Sequence, residues 1–261
     1  MSKGFSNFLK DLDPVLHGQF TVERYKQGLT GKHRNVPDPV FSFNKPTFKK
    51  KVKLPLASTN ARAGDYLKKR KLNPTKFYYT NRFKHFCNTY KPTFESTRND
   101  HERIIIPMYD ENNDLIGFQG RALDAFQKPK YLTVMLNEDS PKLYGLDTIN
   151  KEKPIYIVEG PFDSTLLENS VAMCGSDVDI RTLGWSNYIW VFDNEPRNRE
   201  NISRISNTID RGDQVVIWPS HIVEKDINDM VLSGRNVEDL LESNTYSGLE
   251  AKLKLKSWKK V

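Results

Sequence analysis

At 261 residues the chain is too long for a disulfide-stapled mini-protein and long enough for one large or two small cored domains. With 37% hydrophobic and 28% charged residues it is polar, yet it carries the apolar content that excludes global disorder. The net charge of +7 is segregated: residues 1–153 hold 28 Lys/Arg against 16 Asp/Glu (+12), residues 154–250 hold 7 against 17 (−10), and residues 251–261 hold 5 and no acid (+5). A basic half beside an acidic half suits a polyanion held by one part and cations held by carboxylates of the other.

No run approaches the roughly 20 apolar residues of a membrane span, and the opening MSKGFSNFLK has no apolar signal-peptide core. A soluble, unexported protein without a membrane partner is therefore expected. Cys87 and Cys174 stand far apart, with no second thiol or histidine pair at ligand spacing. That excludes a disulfide framework and a Cys-based zinc site, and points to reducing cytoplasm.

In chain order, residues 5–26 carry sparse apolar clusters (Phe5, Phe8, Leu9, Leu12, then Val22 and Tyr25), too few for a core and suited to docking. Residues 28–46, GLTGKHRNVPDPVFSFNKP, read as an irregular linker. Residues 45–91 hold 14 Lys/Arg and one acid, Asp65, interleaved with Phe48, Tyr66, Phe77, Tyr78, Tyr79, Phe83, Phe86 and Tyr90. Cations for phosphates and aromatic faces for bases are what a single-strand groove requires, although such aromatics serve a core equally well. Within this stretch the composition of residues 61–72 predicts a helix with Ala63, Tyr66 and Leu67 on one face, ended by Asn73-Pro74. Lys68, Lys69 and Arg70 lie on it as candidate template contacts.

The apolar runs 104–106 and 115–118 flank a polar turn from Asp110 to Asp114, which predicts a hairpin. Beyond Pro154 four short apolar runs, IYIVEG, VAMCG, YIWVFD and QVVIWP, alternate with helical patterns; Ile202, Ile205 and Ile209 share one helix face. Strands separated by helices imply right-handed crossovers and a mainly parallel sheet. The expected fold class is thus α/β, mixed α+β overall: a basic subdomain with a β-hairpin, then an α/β domain and a short helical C-terminus.

Ligands of such sheets sit at the carboxyl ends of the strands. There the sequence places Glu159-Gly160 with Asp163, then Asp193-Asn194-Glu195, then Lys225-Asp226 with Asp229. Two carboxylates about 4 Å apart at an effective dielectric near 20 repel by about 4 kcal/mol, so convergence of Glu159, Asp193 and Glu195 calls for a counter-ion. Oxygen ligands without His or Cys suit Mg²⁺ or Mn²⁺. Asp163 and Asp229 have an alternative use as helix-capping charges.

In order, spacing and strand-end position, VEGPFDS, VFDNE and KDINDM resemble the three motifs of the toprim fold, shared by DnaG-type primases, topoisomerases and some nucleases. Upstream, RIIIPMYDENNDLIGFQGRALDAFQKPKYL with KLYGLDTI resembles the stretch preceding toprim in DnaG-type primases, and ARAGDYLKKRKLNPTKF the helix that opens it. The resemblance covers residues 58–240, and its wording is similar to tailed-phage primases of the T-even type. It implies a DNA primase, which copies single-stranded DNA into short RNA primers from NTPs. In that role Glu159, Asp193 and Glu195 would be the catalytic and metal-holding acids, supported by Gly160, Asp163, Lys225, Asp226 and Asp229. Arg103, Arg121 and Lys130 match basic residues that hold template or incoming triphosphate. The implied partner is a ring-shaped hexameric helicase, and the implied location is the cytoplasm of a phage-infected bacterium.

Where the family has Asp-x-Asp, this chain has Asp193-Asn194-Glu195, and no zinc ribbon is present, so a separate zinc-ribbon polypeptide is a candidate partner. A toprim nuclease would use the same acids to cleave, and a non-catalytic subunit would bind DNA or helicase only. The expected organisation is an arm over 1–57, a basic subdomain over 58–153, the toprim domain over 154–235 and a basic helical tail over 236–261.

Overall fold

The computed structural model describes residues 4–26, 51–175 and 178–261, except the side chain of Tyr25. The linker expected over 28–46 lies outside them, as does Phe48. The chain divides into two units, at Phe48/Lys49.

The first unit contains α1 (Phe5–Leu12) and α2 (Pro14–Lys26), with Asp13 capping α2 by accepting the Val15 and Leu16 amides at 2.9 and 3.1 Å. The sparse apolar clusters here lie on two helices. Phe5, Phe8 and Leu12 are exposed and Leu9 is buried.

The second unit begins with α3 (Ala61–Lys69), β1 (Tyr78–Thr80), α4 (Phe83–Tyr90), β2 (Arg103–Tyr109), β3 (Leu115–Ala122) and β4 (Tyr131–Met135). The strands form an antiparallel sheet in the order β1-β2-β3-β4, and the expected hairpin is β2 and β3. Alternate faces of β2 feed two clusters: Ile105 packs with Phe83, Phe86 and Phe118, while Ile104 and Ile106 pack with Ala63, Leu67, Phe77 and Phe162. A Cβ at Gly120 would lie 2.2 Å from the Phe83 ring, so only glycine admits that ring against β3. Asn60 caps α3 by accepting the Ala63 amide. The helix stops at Lys69 rather than at Asn73-Pro74, because Lys71 takes φ of 57° and the Leu72 amide closes onto the Leu67 carbonyl at 3.0 Å.

There follow β5 (Leu143–Tyr144), β6 (Ile155–Val158), α5 (Pro161–Ser164), β7 (Ser170–Met173), β8 (Tyr188–Trp190), α6 (Arg199–Asp210), β9 (Gln214–Val216), α7 (Ile227–Leu232), α8 (Val237–Ser243), β10 (Thr245–Tyr246) and α9 (Gly248–Trp258). The second sheet has the order β10-β9-β8-β6-β7-β5. Its four central strands are the predicted ones and are mutually parallel, while β5 and β10 are short antiparallel edges. The expected domain boundaries move accordingly. Residues 51–57 join the core through buried Val52 and Ala57, β5 belongs to the second sheet, and the tail is integral to that sheet's layer. Ala251, Leu255 and Trp258 of α9 are buried, and β10 pairs with β9.

Much of the basic, aromatic stretch is core: Phe77, Phe83 and Phe86 are buried, and Tyr66, Tyr78, Tyr79 and Tyr90 half-buried. No helix among the described residues is long and apolar enough to cross a membrane.

Candidate active site

β6 and β8 are parallel neighbours, so their carboxyl ends lie side by side and deliver Glu159 and Asp193 to one place. The Val191 amide donates to the Ile157 carbonyl at 2.9 Å, extending the pairing to the site. Asn194 is a tether. Its amide donates to the Lys225 carbonyl at 2.6 Å, its side chain donates to the Ile222 and Glu224 carbonyls at 3.0 Å each, and its oxygen accepts from the Trp258 indole at 3.0 Å. With Asn194 turned into these bonds, Asp193 and Glu195 on either side share one cation: Lys225 Nζ lies 3.7 Å from Asp193 and 3.0 Å from Glu195.

Glu159 pairs instead with Arg204 of α6 at 3.1 Å, and that guanidinium lies 4.9 Å from the Phe192 ring centre. Arg204 was not found from sequence, where it is one polar position on an amphipathic helix; nothing local says that it reaches a strand two positions away in the sheet.

The electrostatics record a surplus of negative charge. Burial raises the Asp193 carboxyl to about 7, and the charges of Glu159, Asp163 and Asp226 add to the rise against Lys225. Burial and then Asp226 raise Asp163 to about 7, opposed by the Asn228 amide that it accepts at 2.9 Å. Asp226 caps α7 by accepting the Asp229 amide at 2.8 Å, and Asp229 is raised by burial and by Asp226. Asp226 is thus the N-cap of α7, while Asp163 and Asp229 stand in the first turns of α5 and α7. A Cβ on Gly160 would stand 3.1 Å from the Asp163 carboxylate, so glycine gives that group room.

Phe162 of the PFDS turn penetrates the first sheet's cluster, with ring centres 5.5 Å from Phe77 and 6.4 Å from Tyr66 and Tyr131. Arg121 sits in this aromatic box, 4.6 Å from the Tyr131 ring centre and 5.7 Å from that of Phe162, and donates to the Tyr66 hydroxyl at 3.1 Å. Arg70 and Asn228, the latter unforeseen, exchange hydrogen bonds of 3.0 and 2.7 Å that tie α3 to α7. Burial lowers the Lys130 ammonium pKa, and the charges of Arg121, Arg70 and Lys225 lower it further, so these four cations share the acids' surroundings. Lys68 and Lys69 are exposed on α3 and form no ion pair with the acids.

Arg103 is a correction. It is fully buried beneath the sheet, donating to the Gly120, Lys130 and Pro129 carbonyls at 2.7, 3.2 and 2.7 Å and to His101 at 2.9 Å, over the Phe83 ring. Burial lowers its pKa to about 10. Four of its five N–H groups are spent on the fold, which commits the buried guanidinium to packing.

As they stand, no three Asp, Glu, His or Cys side chains among the described residues close around a common point. The donor set is nevertheless all oxygen, and Asp193 is under-neutralised. Both features fit a hard dication, which would release Glu159 and Glu195 from Arg204 and Lys225.

Residues 79–149 match the family model described as the DNA primase catalytic core, N-terminal domain. The DNA primase of Enterobacteria phage T4 is 30% identical over 269 residues, covering 97% of this chain and 78% of that protein. Among solved structures, the E. coli primase catalytic core superposes with a TM-score of 0.55 at 19% identity, covering 76% of each chain. A DnaG primase catalytic domain bound to single-stranded DNA gives 0.52 at 19%, covering 70% of this chain and 72% of that one.

Proposed function

This chain belongs to the DnaG-type DNA primases, and on that premise we propose that Glu159, Asp193 and Glu195 form its nucleotidyl-transfer site, making RNA primers on single-stranded DNA. The observation that carries the assignment is the convergence of acids from two neighbouring strand ends on a site ringed by Arg70, Arg121, Lys130 and Lys225.

The reaction joins the 3′-oxygen of the growing primer to the α-phosphorus of an incoming NTP and expels pyrophosphate. Mg²⁺ or Mn²⁺, held by Asp193 and Glu195 with Glu159 as the third ligand, supplies Lewis acidity and charge neutralisation when bound. Glu159, only a third exposed, is the base positioned to take the 3′-hydroxyl proton. Lys130 is a mobile point charge for the departing pyrophosphate, and Arg121, fixed by its aromatic box, presents its outer guanidinium edge to the triphosphate. Lys225 releases the acids and turns to phosphate. Asp163, Asp226 and Asp229 hold α5 and α7 in place around them.

The same reading gives the protein single-stranded DNA and NTPs as ligands and a ring-shaped replicative helicase as partner, with infected bacterial cytoplasm as the setting. The test is primer synthesis with Mg²⁺, NTPs and single-stranded template: wild type makes primers and Asp193→Ala does not. Equal background from both would refute the assignment, and shortening of labelled DNA without NTPs would indicate a nuclease instead.

A further inference from the structure

We infer that a cavity of about 380 Å³ beside the acids is a second, metal-independent site for a small phosphate-bearing ligand. None of the strand-end acids lines it, but Arg204 does. Its volume is within the range of small-molecule sites and far below what a nucleic-acid duplex needs.

The cavity is built around guanidinium groups. Its floor is a stacked aromatic pair, Trp190 and Phe192, with ring planes 4° apart and centres 5.7 Å apart. Arg204 lies 4.9 Å from the Phe192 ring centre and Arg211 lies 5.8 Å from that of Trp190. Arg204 lies on α6 and Arg211 at its C-cap, two turns further along the same face, so each covers one ring of the aromatic pair. Arg181 also lines the cavity.

Two wall carboxylates act as braces. Asp179 takes two N–H groups of Arg181, both at 2.9 Å, and Asp213 takes Arg211 at 3.2 Å and the Tyr188 hydroxyl at 2.9 Å. With Glu159 counted, each of the three guanidinium groups has one carboxylate partner, and Arg204 gives a single N–H to its own, Glu159. Forked, pre-oriented donors of this kind match phosphate oxygens, and guanidinium planes also stack with bases.

Because one guanidinium serves both the cavity and Glu159, occupancy of the cavity and the state of Glu159 are coupled, and the coupling is reciprocal. A phosphate in the cavity competes for Arg204 and leaves Glu159 free.

The test is calorimetric titration of the full chain in EDTA with ADP and, separately, inorganic pyrophosphate. Binding should weaken roughly tenfold in Arg181→Gln and in Arg211→Gln. Arg181→Gln is the cleaner variant, since its exposed side chain pairs with nearby Asp179; melting curves establish that both variants fold. Tighter binding of ADP identifies a nucleotide, and equal binding identifies the phosphate group alone. Glu159→Gln should tighten binding several-fold and Glu195→Gln should not. No binding by wild type at millimolar ligand, or unaltered binding in both Arg181→Gln and Arg211→Gln, would overturn the site; equal effects of the two Glu variants would overturn the sharing of Arg204. Binding is read without primer synthesis, so this proposal and the functional one fail separately.

Discussion

Replacing Asp163 by Asn should stabilise the metal-free protein, and only in a defined pH window. The carboxyl is raised from 3.8 to about 7, chiefly by burial and next by the charge of Asp226. Three units correspond to about 4 kcal/mol, and partial exposure with local relaxation reduces this to about 2 kcal/mol. Asparagine keeps an oxygen for the Asn228 amide and removes the charge. Because the native state binds the proton more tightly than the unfolded chain does, wild-type stability is full near pH 4 and falls as pH rises towards 7. Urea unfolding should therefore give Asp163→Asn an advantage of about 2 kcal/mol at pH 8, shrinking to below about 1 kcal/mol at pH 5. An advantage equal at both pH values, or a loss at pH 8, would refute the electrostatic argument.

Further expectations follow from the packing. Arg103→Met should destabilise by about 3 kcal/mol in urea by removing the buried guanidinium's bonds to three carbonyls and His101, with the KM for NTP unchanged in the folded fraction; a raised KM at full stability would return Arg103 to the nucleotide site. Asn228→Ala removes both bonds to Arg70 and should cost about 2 kcal/mol, seen as earlier proteolysis between α3 and α7. Gly120→Ala drives a methyl into the Phe83 ring and should cost about 1 to 3 kcal/mol by thermal melting.

What the sequence made legible was whatever repeats at short range. The β2–β3 hairpin and the four central strands of the second sheet are apolar runs bounded by turns, so the placement of Glu159, Asp193 and Glu195 beyond the ends of two of those strands could be read in advance. The two-residue edges β5 and β10 carry no period to read. Contacts between distant segments were equally hidden: Arg204 on Glu159, Arg70 with Asn228, and the Asn194 tether to Trp258. Arg103 misled because a basic residue at a matching position looks the same whether its donors meet phosphate or backbone carbonyls. The aromatics of residues 66–90 were ambiguous for a similar reason, and burial resolves most of them as core.

Paramagnetic resonance of Mn²⁺ titrated into the intact protein bears most directly on the assigned acids. Wild type should bind the ion, with affinity falling tenfold or more in Asp193→Asn, a variant whose fold is checked by melting. Unaltered Mn²⁺ affinity in Asp193→Asn, Glu159→Gln and Glu195→Gln alike would contradict the account, because the ion would then be held somewhere other than the ends of β6 and β8.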